Sequence, residues 1–206
     1  MNTKLLTAAA AAVLAFSLST GAQASLVART GGMVYDTVNN ITWAANANLA
    51  QTSGYDADGR MTWAAAVAWA DQLTLGGFTD WSLPTTVPAV IGINRKDSQM
   101  GDLFYNQLGG AAYESIITIH NANYDLFTNV QDYVYWSGSV YASNLSKAWV
   151  FATNNGNQAN NAKTGQFYAW AVRPGDVAAV PLPAATWLFL SGLMGVLGLK
   201  RRKNIA

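Results

Sequence analysis

Apolar residues recur with helical spacing in two segments of this chain. The first segment follows Thr62 and ends at Gly76-Gly77, and the second follows Ser98 and ends at Gly109-Gly110. Because threonine and serine cap helix starts and glycine ends helices, we predict two short helices beginning at these residues. Their apolar faces comprise Trp63, Ala66, Val67, Ala70 and Leu73 in the first helix and Met100, Leu103, Phe104 and Leu108 in the second.

Short runs rich in aromatic and β-branched residues predict strands around these helices. Residues 33–35 and 41–43 are expected to form a hairpin, and the asparagine-rich residues 154–161 are expected to form a turn. Side chains alternate along a strand, which places Tyr133 and Tyr135 opposite Val134 and Trp136. Later strands are predicted at residues 133–136, 148–151 and 167–172. Early helices followed by antiparallel strands predict an α+β domain over residues 25–176.

The N-terminal 24 residues have the composition of a secretory signal peptide. Lys4 precedes the apolar residues 5–18, and the small residues Ala22 and Ala24 mark a cleavage site before Ser25. We therefore expect the chain to be exported. An uncleaved N-terminal anchor and a buried N-terminal helix are the alternatives.

An uncharged stretch of 23 residues, 177–199, lies near the C-terminus. Its apolar part, residues 184–199, is followed by a basic cluster, and a stretch of about 20 apolar residues spans a bilayer. Basic residues stay on the cytoplasmic side, so we predict an exported domain held by one C-terminal transmembrane helix. The basic cluster consists of Lys200, Arg201, Arg202 and Lys203.

Composition excludes several classes of protein. Charged residues make up only 11% of the chain and aromatic residues 12%, which argues against intrinsic disorder. The chain has no cysteine, so it has neither disulfides nor a cysteine nucleophile. Its net charge of +1 combines +5 from the two ends with −4 from residues 25–176, where seven basic residues stand against eleven acidic ones. An acidic domain is unsuited to nucleic acid, so no nucleic-acid partner is expected.

The C-terminal segment resembles a PEP-CTERM sorting signal of the V-P-L-P-A type, which spans residues 180–203 and overlaps a proline-containing linker at 177–183. Such signals occur in Gram-negative bacteria that make exopolysaccharide, and a membrane protease, exosortase, recognises them. The resemblance implies exosortase and the export machinery as partners. A plain membrane anchor is the alternative. The motif residues are Val180, Pro181, Leu182, Pro183 and Ala184.

The domain itself resembles the Lcl C-terminal-domain family over about residues 31–176. The matching segments are M-V-Y-D…I-T-W at 33–43, W-A-A-A at 63–66, G-F-T-D-W-S-L-P-T at 77–85, Y-W-S-G-S at 135–139 and A-W-A-V-R at 169–173. The resemblance implies a C-type-lectin-like fold, and adhesins of this family bind sulfated polysaccharides.

Two departures from the family pattern affect one loop. Ser82 replaces the usual arginine, and Val87-Pro88 replaces an acidic position. We expect the loop to lack the charge pair that these residues would form. The net charge of −4 also disfavours a polyanionic ligand.

Candidate catalytic and metal sites are weak in this sequence. Residues 56–60, D-A-D-G-R, begin like a calcium loop but lack its later ligands, so we interpret them as a turn before the first helix. His120 is the only histidine, and we expect it at the surface at a strand end. No catalytic residue, metal site or cofactor is predicted. A glycan-acting enzyme would have to use aspartate pairs, because Glu114 is the only glutamate.

Tyrosines are the remaining candidates for ligand contact, because flat rings stack on sugar rings. We expect Tyr133 and Tyr135 on the solvent side of a strand, with contributions from Tyr141 and Tyr168; packing in the core is the alternative. The sequence thus predicts a non-enzymatic protein of the bacterial cell surface or extracellular matrix that binds polysaccharide. A glycan-acting enzyme and a purely structural matrix component are the alternative hypotheses.

Overall fold

The computed structural model describes residues 25–87 and 89–177. The predicted signal peptide with Ala22 and Ala24, the sorting signal at 180–203 and the predicted membrane helix at 184–199 lie outside the described residues. Within the described ranges, no helix combines the length and apolar character needed to cross a bilayer.

The first sheet contains four strands: β1 (Leu26–Arg29), β2 (Met33–Asp36), β3 (Ile41–Ala44) and β9 (Val172–Pro174). They lie in the order β1-β2-β3-β9, and each neighbouring pair is antiparallel. The predicted hairpin is confirmed, because β2 and β3 pair across the turn at residues 37–40. This sheet joins the two ends of the described domain.

The second sheet contains five strands: β4 (Arg60–Met61), β5 (Val134–Val140), β6 (Lys147–Ala152), β7 (Asn157–Ala162) and β8 (Phe167–Tyr168). Their order is β4-β8-β5-β6-β7. All pairs are antiparallel except β5 with β8, which is parallel. The register of β5 against β6 shifts between Trp136 and Val140. This sheet contains two of the four tyrosines predicted as ligand contacts, Tyr135 and Tyr168, and the other two flank β5.

Two predictions about the later strands are wrong. Residues 167–172 form two strands in different sheets, β8 and β9, so the chain crosses between the sheets here. The predicted turn at 154–161 is limited to its first residues, and Asn157–Ala162 forms the edge strand β7. Its backbone groups pair with β6 over six positions, and this pairing is available to asparagine as to any other non-proline residue.

Both predicted helices are present. The first, α2 (Trp63–Gln72), follows a single helical turn, α1 (Leu49–Thr52), and the Thr62 side chain accepts a hydrogen bond from the Ala65 backbone N–H. The second begins as α3 (Gln99–Asp102), capped by the Ser98 side chain, and continues as a π-helix, Leu103–Gln107. A 3₁₀ helix, Ala122–Leu126, completes the helical elements of the described residues. The domain is therefore α+β, as predicted.

Two carboxylates are buried together where the β2–β3 turn meets the π-helix. Asp36 is fully buried and Asp102 is 9% exposed. The side-chain amide of Asn39 bridges them, with its nitrogen 2.8 Å from Asp36 Oδ2 and 2.7 Å from Asp102 Oδ2. The Gln107 amide donates to Asp102 at 3.0 Å, and the Asn106 amide donates at 2.6 Å. The hydrogen-bond acceptors of this acidic pair are therefore satisfied by neutral amide groups.

The largest fully buried side chains of the core are tryptophans. The rings of Trp43 and Trp170 meet edge to face at 5.4 Å, and the Trp170 ring also lies 5.5 Å from Tyr135. The Trp170 indole donates to the Ala44 carbonyl at 2.8 Å. Because Trp43 lies in the first sheet and Tyr135 in the second, Trp170 connects the two. Aromatic side chains contribute large buried areas, so this contact is central to stability.

Candidate functional site

The exposed Tyr133 and the half-buried Tyr168 form an aromatic surface at one end of β5, here called the tyrosine face. Tyr133 directly precedes β5, is 41% exposed, and its ring lies 6.2 Å from the Tyr168 ring at an angle of 88°. The Thr153 hydroxyl and the Tyr133 backbone exchange hydrogen bonds that hold this position in place. Two of the four predicted tyrosines therefore meet at the surface.

Tyr135 is the clear correction among the predicted tyrosines. It is fully buried, not solvent-facing, because the rings of Tyr168 and Trp170 pack against it. Its ring lies 5.6 Å from Tyr168, and its hydroxyl accepts a hydrogen bond from the Gln131 backbone N–H at 2.8 Å. Burial raises the pKa of the Tyr135 hydroxyl far above its ordinary value. Tyr135 supports the tyrosine face from beneath as a neutral group.

Tyr141 lies away from the tyrosine face. It follows the opposite end of β5, and its ring packs edge to face on Trp149 with 5.4 Å between the ring centroids. Strand direction explains the separation, since residues before and after a seven-residue strand lie at its two ends. The four predicted tyrosines therefore do not form one surface.

A polar depression lies beside the tyrosine face and is lined by Asp56, Ala57, Asp58, Arg60 and Gln166. Arg60 pairs with Tyr168 across the β4–β8 ladder. The pKa of Arg60 is raised, chiefly by its hydrogen bond to Asp58 and in smaller part by nearby Tyr168 and Tyr133. The sequence contained no sign that Arg60 is a neighbour of these tyrosines, because the β4–β8 pairing joins Arg60 to Tyr168 across more than 100 positions. Gln166, two positions before Tyr168, was also missed.

The aspartates of this depression accept hydrogen bonds from the backbone of the turn to which they belong. Asp56 accepts hydrogen bonds from the backbone N–H groups of Asp58 and Gly59 at 3.1 and 2.8 Å, and Gly59 has φ +81°. Asp58 forms an ion pair with Arg60 at 2.6 Å. The interpretation of residues 56–60 as a turn before α2 is confirmed. Among the residues that the structure describes, no group of three acidic, histidine or cysteine side chains is placed to hold a metal.

His120 is exposed, as predicted, but it lies in a turn and not at a strand end. Its Nδ1 atom is 2.7 Å from the Ile116 carbonyl oxygen, and its ring stacks on Tyr124 with 4.1 Å between the centroids. The Thr118 and Ile119 backbone N–H groups donate to the Ser115 carbonyl, so residues 115–119 form a turn in place of the strand expected before His120. The contacts of His120 are thus a backbone carbonyl and a phenol ring.

An ion pair connects the loop at 77–85 to the last strand. Arg173 donates two hydrogen bonds to Asp80, at 2.8 and 2.9 Å, and its guanidinium lies 4.0 Å from the centre of the Phe78 ring. The loop was expected to lack a bracing charge pair because Ser82 replaces arginine. Asp80 and Arg173 provide such a pair in the structure, and both residues belong to motifs identified in the sequence.

The Asp80–Arg173 pair predicts a dependence of stability on pH. The hydrogen bond from Arg173 lowers the pKa of Asp80 below its ordinary 3.8. A carboxylate whose pKa is lowered by folding stabilises the fold fully above its unfolded pKa, and this contribution disappears as the pH falls through the folded value. Asp80→Asn is therefore expected to be less stable than the wild type at pH 7, by at most about 1 kcal/mol because Asp80 is half exposed.

The measurement is urea unfolding of both proteins from pH 7 to pH 2.5, followed by tryptophan fluorescence. The difference in unfolding free energy should stay constant down to about pH 5 and shrink below pH 4. A difference that is the same at pH 7 and pH 2.5 would contradict this assignment of the ion pair.

Comparison with known proteins identifies the domain. Residues 32–173, which are 142 of the 206 residues, match the family described as the Lcl C-terminal domain. No curated protein and no solved structure matches the chain. The matched range begins at the first hairpin and ends at Arg173, so it includes the tyrosine face and both partners of the Asp80–Arg173 pair. The chain belongs to the Lcl C-terminal domain family.

Proposed function

We propose that this chain is a non-enzymatic protein of the bacterial envelope or extracellular matrix that binds polysaccharide through the tyrosine face. The observation that carries the proposal is the exposed Tyr133 ring, packed against the half-buried Tyr168 ring beside a depression with carboxylate, guanidinium and amide groups. Aromatic rings cover the apolar faces of sugars, and polar groups beside them bind hydroxyls.

The charge of this surface favours neutral polysaccharide over sulfated polysaccharide. Asp56 and Asp58 face a single cation, Arg60, in the depression. The domain carries a net charge of −4 between residues 25 and 176. A polyanion would therefore be repelled, whereas hydroxyl groups of a neutral glycan would find both donors and acceptors.

Export and membrane sorting are the second part of the proposal. The signal peptide at 1–24 and the PEP-CTERM-like segment at 180–203 support processing by the export machinery and exosortase, with the C-terminal helix in the membrane before processing. We also propose that the α+β domain has a C-type-lectin-like fold, as the family resemblance implies. Localisation at the cell surface places the tyrosine face where extracellular polysaccharide is present.

Replacing Tyr133 with alanine is expected to weaken glycan binding about fivefold to tenfold, because one stacking ring is lost. The full chain in detergent micelles is titrated calorimetrically with neutral hexasaccharides (cellohexaose, maltohexaose and chitohexaose) and with heparin as the polyanion. Tyr141→Ala is the matched control, since Tyr141 lies outside the tyrosine face, and it should bind as the wild type does. Equal losses in both variants, or tighter binding of heparin than of every neutral probe, would contradict the proposal.

A further inference from the structure

A second groove lies between α2 and the loop at 82–85, and neither the predicted tyrosines nor the tyrosine face contribute to it. One wall is a stripe of α2 at four-residue spacing, Trp63, Val67 and Asp71, and the other includes Ser82 and Thr85. Its volume is about 250 Å³. Pockets for drug-sized ligands hold roughly 300–1,000 Å³, so this groove suits one or two sugar rings.

The aromatic wall of the groove is held rigidly. The Trp63 indole N–H donates to the Ser137 carbonyl at 2.9 Å, and the Lys163 ammonium lies 4.2 Å from the centre of the ring. Trp63 is half-buried, so part of its ring surface remains open to a ligand. A fixed aromatic ring loses little conformational entropy when a ligand binds.

The polar groups of the groove are free to bind. Within residues 25–87 and 89–177, the side chains of Asp71, Ser82 and Thr85 are exposed and make no hydrogen bond to the protein. The depression beside the tyrosine face differs, because Asp56 and Asp58 there accept hydrogen bonds from their own turn. Free acceptors and hydroxyls beside an aromatic ring match the vicinal hydroxyls of a pyranose.

We propose that this groove, between Trp63 and Ser82, is a second saccharide-binding subsite that takes a neutral pyranose unit. Asp71 accepts hydrogen bonds from two sugar hydroxyls, Ser82 and Thr85 contribute hydroxyl contacts, and the apolar sugar face lies against Trp63. The carboxylate of Asp71 and the Lys163 ammonium over the Trp63 ring carry opposite charges, which suits a neutral sugar better than an anionic one. The inference extends the proposed polysaccharide binding. Two subsites on one domain bind a polymer more tightly than one, through avidity.

The test uses the full chain in detergent micelles and the same three neutral hexasaccharides, titrated by calorimetry. Asp71→Ala should weaken binding in the groove about tenfold, because a charge-assisted hydrogen bond is lost. Ser82→Arg should abolish it by filling the groove with a bulky side chain. Asp125→Ala is the matched control, since Asp125 is an exposed carboxylate on the 3₁₀ helix and does not line the groove.

Combined variants distinguish binding in the groove from binding at the tyrosine face. In a Tyr133→Ala background the groove should still bind a neutral probe, and adding Ser82→Arg should remove that binding. If Ser82→Arg and Asp71→Ala bind every probe as the wild type does, or if Asp125→Ala weakens binding equally, the groove is not a subsite. If Tyr133→Ala has no effect while Ser82→Arg abolishes all binding, the groove stands as the saccharide site and the tyrosine face is rejected.

Discussion

Replacing Asn39 with leucine is expected to lower the free energy of unfolding by about 3 kcal/mol, because two buried carboxylates lose a shared donor. The Asn39 amide nitrogen joins Asp36 to Asp102 at 2.8 and 2.7 Å. The Gln107 amide nitrogen reaches the same two carboxylates at the longer distances of 3.5 and 3.0 Å. Leucine has similar volume but no donor, so the two carboxylates would lose the shorter of their two bridges and keep only the weaker Gln107 bridge between them. Hydrogen bonds to charged groups are the stronger ones, and both carboxylates are shielded from water.

Urea unfolding at pH 7, followed by tryptophan fluorescence, measures this loss. Asn160→Leu is the matched control, because Asn160 is equally half-buried, lies on the edge strand β7, and should change stability by less than about 0.5 kcal/mol. Asn39→Asp should be less stable than Asn39→Leu, since it adds a third carboxylate to the cluster. If Asn39→Leu were as stable as Asn160→Leu, the bridging role of the amide would be wrong.

Loss of the C-terminal tail is expected to be almost complete in protein recovered from the cell surface. If exosortase processes the chain, mass spectrometry should detect peptides from residues 25–176 and none from beyond about Ala184. Proline does not continue a helix and favours an extended conformation in the residue before it, and a protease requires an extended segment, so the sequence predicts that Pro181 and Pro183 promote processing. Replacing both with alanine should therefore leave the tail attached in most molecules.

Pro174→Ala is the control for the double proline variant, because Pro174 is exposed in β9 and lies before the sorting signal. Its tail should be lost as in the wild type. A wild-type protein that retains the intact basic end, from Lys200 to Lys203, would contradict processing and favour a plain membrane anchor. This outcome would leave the proposed binding sites of the domain untouched.

The elements predicted well are those that local chemistry determines. Thr62 and Ser98 cap helices because their hydroxyls accept hydrogen bonds from nearby backbone N–H groups. The Asp56 turn forms because the Asp56 carboxylate accepts hydrogen bonds from the backbone N–H groups two and three residues later. The prediction failed at β7, where asparagine-rich residues pair with a neighbouring strand. It also failed at residues 167–172, where the chain changes sheets. Strand pairing is non-local, so side-chain propensity near a residue does not reveal it.

In the candidate site, too, local features were predicted well and non-local packing was not. An exposed ring at Tyr133 and a partly exposed ring at Tyr168 agree with the prediction, whereas Tyr135 is buried because the Tyr168 and Trp170 rings pack against it. Alternation along a strand identifies which residues share a face but not whether another layer covers that face. The groove at Trp63 had no sequence signal, since α2 and the loop at 82–85 meet only in the folded domain.

The sequence by itself determined the membership of the Lcl C-terminal domain family, the α+β class and the two helix starts, because motifs and caps are encoded in consecutive residues. It also predicts the export and sorting segments. Only the tertiary structure decided which aromatic residues reach solvent, that Arg60 lies beside Tyr168, and that Asp80 pairs with Arg173. These contacts join residues about 90 to 110 positions apart. Pairing of β4 with β8 and the bridge between Ser82 and Val172 bring these residues together, and neither composition nor residue spacing predicts such non-local pairings.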